Sequence, residues 1–75
     1  MDTTQTALAI IARIARRPVA ELTPQTELVA DLDFDSARAL ELLVALEDGI
    51  GIEISDEDVA RLDTVGDILA YLAGR

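Results

Sequence analysis

The stretch Asp33-Phe34-Asp35-Ser36-Ala37-Arg38-Ala39-Leu40-Glu41-Leu42-Leu43-Val44-Ala45-Leu46-Glu47-Asp48 decides how this chain folds. From Ser36 to Asp48 the apolar residues recur at helical spacing, with Ala39, Leu42, Leu43 and Leu46 on one stripe. Ala37, Leu40 and Val44, with Glu41, Glu47 and Asp48, lie largely on another side. The helix therefore carries more apolar surface than one buried face requires. Gly49 and Gly51 are expected to end it.

Upstream, Val19 to Asp35 shows no sustained period and holds Pro24 between Thr23 and Thr26. A loop of this length in a small domain is expected to be functional. Leu22, Leu28, Val29, Leu32 and Phe34 are expected to pin it to the core. Before it, Thr4 to Arg16 reads as a first helix with Ala7, Leu8, Ile11, Ile14 and Ala15 on one stripe. Arg13, Arg16 and Arg17 suit the negative end of its dipole, and Pro18 stops it.

Downstream, Ile52-Glu53-Ile54 alternates like a strand but is too short to make a sheet, and no partner lies nearby. Ser55 is expected to cap a brief helix, with Asp56, Glu57 and Asp58 in its first turn. Thr64 caps a last helix in a Thr-x-x-Asp arrangement, with Val65, Ile68, Leu69 and Leu72 as its apolar face. The expected fold is all-α: a small four-helix bundle of three main helices and one short one, in a single domain over residues 1–75.

Composition narrows the function. The 75 residues include no His and no Cys, which removes the commonest general base, the commonest neutral metal ligand, and any disulfide. A self-sufficient hydrolase or zinc enzyme is not expected, and no metal site is assigned. Fifteen acids against six bases, all Arg, give a net charge of −9, which argues against nucleic acid and favours partners with basic surfaces. Thirteen of those acids fall between Glu27 and Asp67, against two bases, Arg38 and Arg61. No apolar run approaches the roughly 20 residues of a membrane span. The start Met1-Asp2-Thr3-Thr4 lacks the basic character of a signal peptide, so the expected setting is cytoplasmic, without membrane association.

Ser36 stands at the helix start, where a serine is ordinarily a cap. Two features support a second reading. It follows a long irregular loop, so its hydroxyl is reachable. Acids flank it, and no His exists to activate it as a nucleophile of its own. Such a serine suits an acceptor whose catalyst is another protein. Asp31-x-Asp33-x-Asp35 also begins like a calcium-binding loop, but Ser36 stands where glycine is needed and Leu42 where a bidentate Glu is needed. A small adaptor that only binds proteins would leave the Asp-Ser junction unexplained.

An ordered series runs through the chain: Pro24-Gln25-Thr26-Glu27-Leu28, Asp31-Leu32, Asp35-Ser36, Leu42-x-x-Ala45-Leu46-Glu47, Gly51-Ile52-Glu53-Ile54, Asp56-Glu57-Asp58, and Thr64-Val65-Gly66-Asp67. Over residues 4–73 it resembles the acyl carrier protein family. The resemblance implies that Ser36 accepts 4′-phosphopantetheine from coenzyme A through a separate, magnesium-dependent phosphopantetheinyl transferase. It implies that Asp35 helps place the metal and substrate. Acyl or aminoacyl cargo would then ride on the arm as a thioester. The implied partners are that transferase, an acyl- or aminoacyl-loading ligase or transferase, and synthase-type enzymes of fatty acid, polyketide or related specialised biosynthesis with basic docking patches. The protein itself would be a monomer and not an enzyme.

By the same resemblance the second helix is the docking face. Ala37, Leu40 and Val44 would supply apolar contact, and Glu41, Glu47 and Asp48 a negative rim that Asp56 extends. Replacing Glu41 or Glu47 by Lys is then expected to weaken partner contact without unfolding the domain. Three positions depart from the family pattern: Asp33 in place of Gly, Ala37 in place of Leu, and Arg38 where an acid is common. These departures point to a discrete carrier of a specialised pathway. Arg38 could alternatively pair with Asp35 or Glu41.

Overall fold

In the computed structural model, residues 3–74 are described, apart from the side chain of Asp56. The elements in chain order are α1 (Thr3–Ala15), a 3₁₀ turn (Val19–Glu21), α2 (Ser36–Ile50), α3 (Asp56–Val59) and α4 (Val65–Ala73). Strands are absent among the described residues, as the length of Ile52–Ile54 implied; an isolated antiparallel bridge joins Glu27 and Thr64.

The expected stripes meet in one core. Ile11 of α1, Leu46 of α2, and Val65 and Ile68 of α4 are its most deeply buried large side chains, joined by Ala7, Leu42 and Leu72. Each of these Val, Leu and Ile side chains removed from water contributes about 1.5–3 kcal/mol. Leu28, Leu32 and Phe34 bring the loop into the same core, and Leu22 packs against it. Val29 does not: it is 70% exposed, which corrects its expected role as an anchor.

Two helix ends differ from the expected ones. Arg16 takes a left-handed conformation (φ 59°), with Arg16 N–H on the Arg13 carbonyl and Arg17 N–H on that of Ala12. This pattern closes α1 at Ala15, before Pro18 acts, with an arginine where glycine is usual. In α2, Gly49 lies inside the helix. Gly51, at φ 79°, is the left-handed residue that closes it, donating to the Glu47 carbonyl.

The long loop is a closed structure. Its residues 27–34 bond to one another: the N–H groups of Asp31 and Leu32 reach the Glu27 carbonyl, Asp33 N–H that of Val29, and Phe34 N–H that of Leu28. Asp33 sits at φ 57°. A left-handed backbone is the ordinary reason for glycine, which gives the physical cause of the Gly that Asp33 replaces here. Three further backbone bonds clasp this loop to the start of α4: Gly66 N–H to Pro24, Val65 N–H to Thr26, and Leu28 N–H to Asp63, at 2.9–3.0 Å. At Gly66 an added Cβ would stand 2.7 Å from the Pro24 carbonyl oxygen, so the clasp needs the glycine. Thr64 caps α4 through a complete capping box with Asp67.

Candidate functional site at the start of helix α2

Phe34 is buried, and it delivers the chain to α2 with Asp35 and Ser36 turned to solvent. Asp35 is the N-cap: its Oδ1 accepts the Arg38 N–H at 2.8 Å. Ser36 is therefore the first helical residue and not the cap. Its exposed hydroxyl is left out of the capping bond. The simpler reading of Ser36 as a cap fails because a better-placed carboxylate precedes it.

Beside Ser36 opens a cavity of about 380 Å³. Its α2 wall is Ala39, Leu42, Leu43 and Leu46, its floor includes Phe34 and Ile68, and its far wall is Ile54, Val59, Ala60 and Leu62. Asp35, Val29 and Asp63 also line it. An aliphatic pocket that reaches a free hydroxyl suits a flexible apolar chain attached there. No buried side-chain polar atom among the described residues lacks a hydrogen-bond partner. Periodicity foretold the α2 wall. The far wall and Val29 had no local signal, because they reach the cavity only through the fold.

On the opposite side of α2, Ala37, Leu40, Glu41, Val44, Ala45 and Asp48 line a shallow groove. Leu40 is 59% and Val44 56% exposed, a large apolar area to leave in water. Ala37, Glu41 and Asp48 are exposed beside them. Glu47 does not join this groove. It is half-buried, and its Oε2 accepts the Ile54 N–H at 2.9 Å, holding the turn after α2. The side chain of Asp56 lies outside those described. Arg38 is half-buried, and its guanidinium forms no ion pair with Asp35 or Glu41; among the described residues the ion pair found is Arg17–Glu21, at 3.8 Å.

Two of the acids near Ser36 each spend one carboxylate oxygen on the backbone. Asp31 Oδ2 accepts the Glu27 N–H at 2.8 Å, and Asp35 holds the cap. Among the described residues, no group of three metal-ligating side chains comes together and no helix is long and apolar enough to cross a membrane.

Residues 5–72 match the family described as a phosphopantetheine attachment site. Over 84% of its length this chain is 44% identical to the meromycolate extension acyl carrier protein of Mycobacterium tuberculosis, and the match spans 55% of that protein. It is also 44% identical to an acyl carrier protein of Thermobifida fusca, over 84% of this chain and 80% of the relative. Among solved structures, an acyl carrier protein from Mycobacterium tuberculosis superposes with a TM-score of 0.87 at 36% identity, covering 96% of both chains. One from Enterococcus faecalis gives 0.79 at 30% identity, covering 99% of this chain and 98% of the other. The chain thus spans little more than half the length of the mycobacterial relatives it matches in sequence.

Proposed function

We propose, since this chain belongs to the acyl carrier protein family, whose members carry cargo and are not enzymes, that Ser36 accepts a 4′-phosphopantetheine arm. The protein would then present aliphatic acyl intermediates to partner enzymes as one carrier domain. The observation that carries this reading is the division of labour at the helix start. Asp35 holds the cap, so the neighbouring hydroxyl remains reachable and chemically unspent.

The residues fit the group. Ser36 would hold it through a phosphodiester. Asp35, exposed beside it, keeps one carboxylate oxygen out of the capping bond to serve the magnesium of the transferase. The arm supplies the thiol that this Cys-free chain lacks. Ala39, Leu42, Leu43 and Leu46 give an apolar surface to a chain folded back toward the helix, which favours aliphatic acyl cargo over aminoacyl. The acyl-extension role named for the mycobacterial relatives points the same way.

Docking is assigned to the groove of Ala37, Leu40, Glu41, Val44 and Asp48. Partners with basic patches around an apolar centre would find complementary charge there, with orientation and encounter rate as the main gain. The partners would be a phosphopantetheinyl transferase, a loading ligase or transferase, and synthase-type enzymes. Arg38, a cation beside this acidic face, favours a dedicated set of them.

The test is direct. The protein is incubated with coenzyme A, magnesium and a broad-specificity phosphopantetheinyl transferase, and its intact mass is taken. One phosphopantetheine is gained by wild type and none by Ser36→Ala. A folded wild-type protein that gains nothing overturns the reading.

A further inference from the structure

The cavity beside Ser36 has one side fixed by backbone and one held by side chains. On the fixed side, Leu28 N–H bonds to the Asp63 carbonyl, within the clasp that joins the loop to α4. On the other side, the chain from Ile54 to Leu62 supplies the wall, with Ile54, Val59, Ala60 and Leu62 facing the cavity. Its central helix, α3, is one turn long, too short to hold its place by its own hydrogen bonding.

Side-chain bonds span from the main helices to this wall. Glu47 of α2 accepts the Ile54 N–H at 2.9 Å, and the Tyr71 hydroxyl of α4 donates to Asp58 Oδ2 at 2.8 Å. A second, polar hollow is bordered by Glu47, Glu53, Asp58 and Tyr71. Within the wall, Ile54 thus meets both hollows, and Asp58 of α3 meets the polar one while Val59 lines the apolar cavity. The Tyr71–Asp58 bond ties α3 to α4 at the edge of that polar hollow.

We propose that Tyr71 is a positioning residue that sets the length of acyl chain the cavity accepts. By holding Asp58 it keeps α3 in place as the outer wall, and releasing it lets the wall retreat to take a longer straight-chain cargo. The inference rests on Ser36 bearing an acylated arm, and its test separates the two.

The full chain is charged by a broad-specificity phosphopantetheinyl transferase with straight-chain acyl-coenzyme A donors from butyryl to myristoyl. Each product is verified by intact mass, and its melting temperature is recorded. In wild type the gain in melting temperature rises with chain length to a maximum. In Tyr71→Phe that maximum moves to a longer chain by at least one two-carbon step. Asp58→Ala breaks the same bond from the other end and gives the same move, while Asp58→Asn, which keeps an acceptor, leaves the maximum where wild type has it. A uniform fall in melting temperature with the maximum unmoved in both Tyr71→Phe and Asp58→Ala means the bond is only structural, and overturns the inference alone. A wild-type protein that gains no mass overturns the carrier reading and this inference with it.

Discussion

The carboxylate of Asp35 accepts the backbone N–H of Arg38 at 2.8 Å, so the acid and not the serine beside it caps α2. The two residues then differ in what their loss costs. Asp35→Ala removes an N-cap and is expected to lower stability by about 1 kcal/mol. Ser36→Ala removes no capping bond and is expected to stay within about 0.5 kcal/mol of wild type. Urea unfolding of both variants checks this. A Ser36→Ala protein as weakened as Asp35→Ala would show that the hydroxyl serves the fold.

Asp35→Asn separates the cap from the charge. Asn caps as well as Asp, so unfolding is expected to match wild type, while loss of the carboxylate slows transfer of the arm by on the order of tenfold, as for groups that orient a metal's ligands. Transferase kcat/KM on the unmodified protein reads the second effect. Wild-type kinetics in the Asn variant would confine Asp35 to capping.

Glu41 and Glu47, equivalent in the sequence, are expected to part ways. Glu41 is exposed beside Leu40 and Val44, so Glu41→Lys should leave unfolding unchanged and slow partner transfer, with the deficit shrinking as salt rises. Glu47→Lys removes the acceptor of the part-buried Ile54 N–H and should cost about 1–3 kcal/mol, before any docking effect. Paired urea melts and transfer assays distinguish them, and a stable Glu47→Lys would return Glu47 to the docking rim.

What the sequence hid follows from distance along the chain. The stripes of α1, α2 and α4 and the Thr64–Asp67 capping box are local patterns, legible because their partners lie within one or two turns. Ser36 was legible because an ordered series surrounds it. The Tyr71–Asp58 bond spans 13 residues and the Glu47–Ile54 bond seven, and no short-range pattern announces either. Val29 looked like an anchor because it sits among anchors. The closed bonding of residues 27–34 instead turns it to solvent at the cavity. Gly49 looked like a stop because glycine usually is one, but Gly51, two residues on, takes the left-handed turn.

The Arg38 guanidinium makes no ion pair among the described residues and stands next to an acidic face, so on the proposed docking reading it would disfavour partners whose patches are built of Arg and Lys. Arg38→Glu is expected to raise kcat/KM with generic fatty acid synthesis enzymes several-fold without altering stability, since the guanidinium makes no ion pair among the described residues. Malonyl transfer to the arm-bearing protein measures it. No gain, or a loss, with such enzymes would mean that Arg38 does not discriminate among partners.

Two glycines give opposite outcomes for the same substitution. At Gly49 a new Cβ meets Ile10 Cδ1 at 2.8 Å, the free end of a side chain that can turn away, and the helix interior gains about 0.5–1 kcal/mol from losing glycine. Gly49→Ala is therefore expected to stay within about 1 kcal/mol of wild type. At Gly66 the new Cβ meets the Pro24 carbonyl oxygen at 2.7 Å and its Cβ at 3.1 Å, both on the clasp that fixes the rim of the cavity. Backbone must yield there, and Gly66→Ala is expected to cost about 1–3 kcal/mol. Because the clasp also sets Leu28 against Asp63, the same variant should weaken the thermal stabilisation given by an attached acyl chain. Urea melts of both variants and acyl-dependent melting shifts of Gly66→Ala test this together. A Gly66→Ala protein with wild-type stability and wild-type shifts would show that the rim yields as easily as the α3 wall, and the contrast between a fixed and a movable side of the cavity would fall.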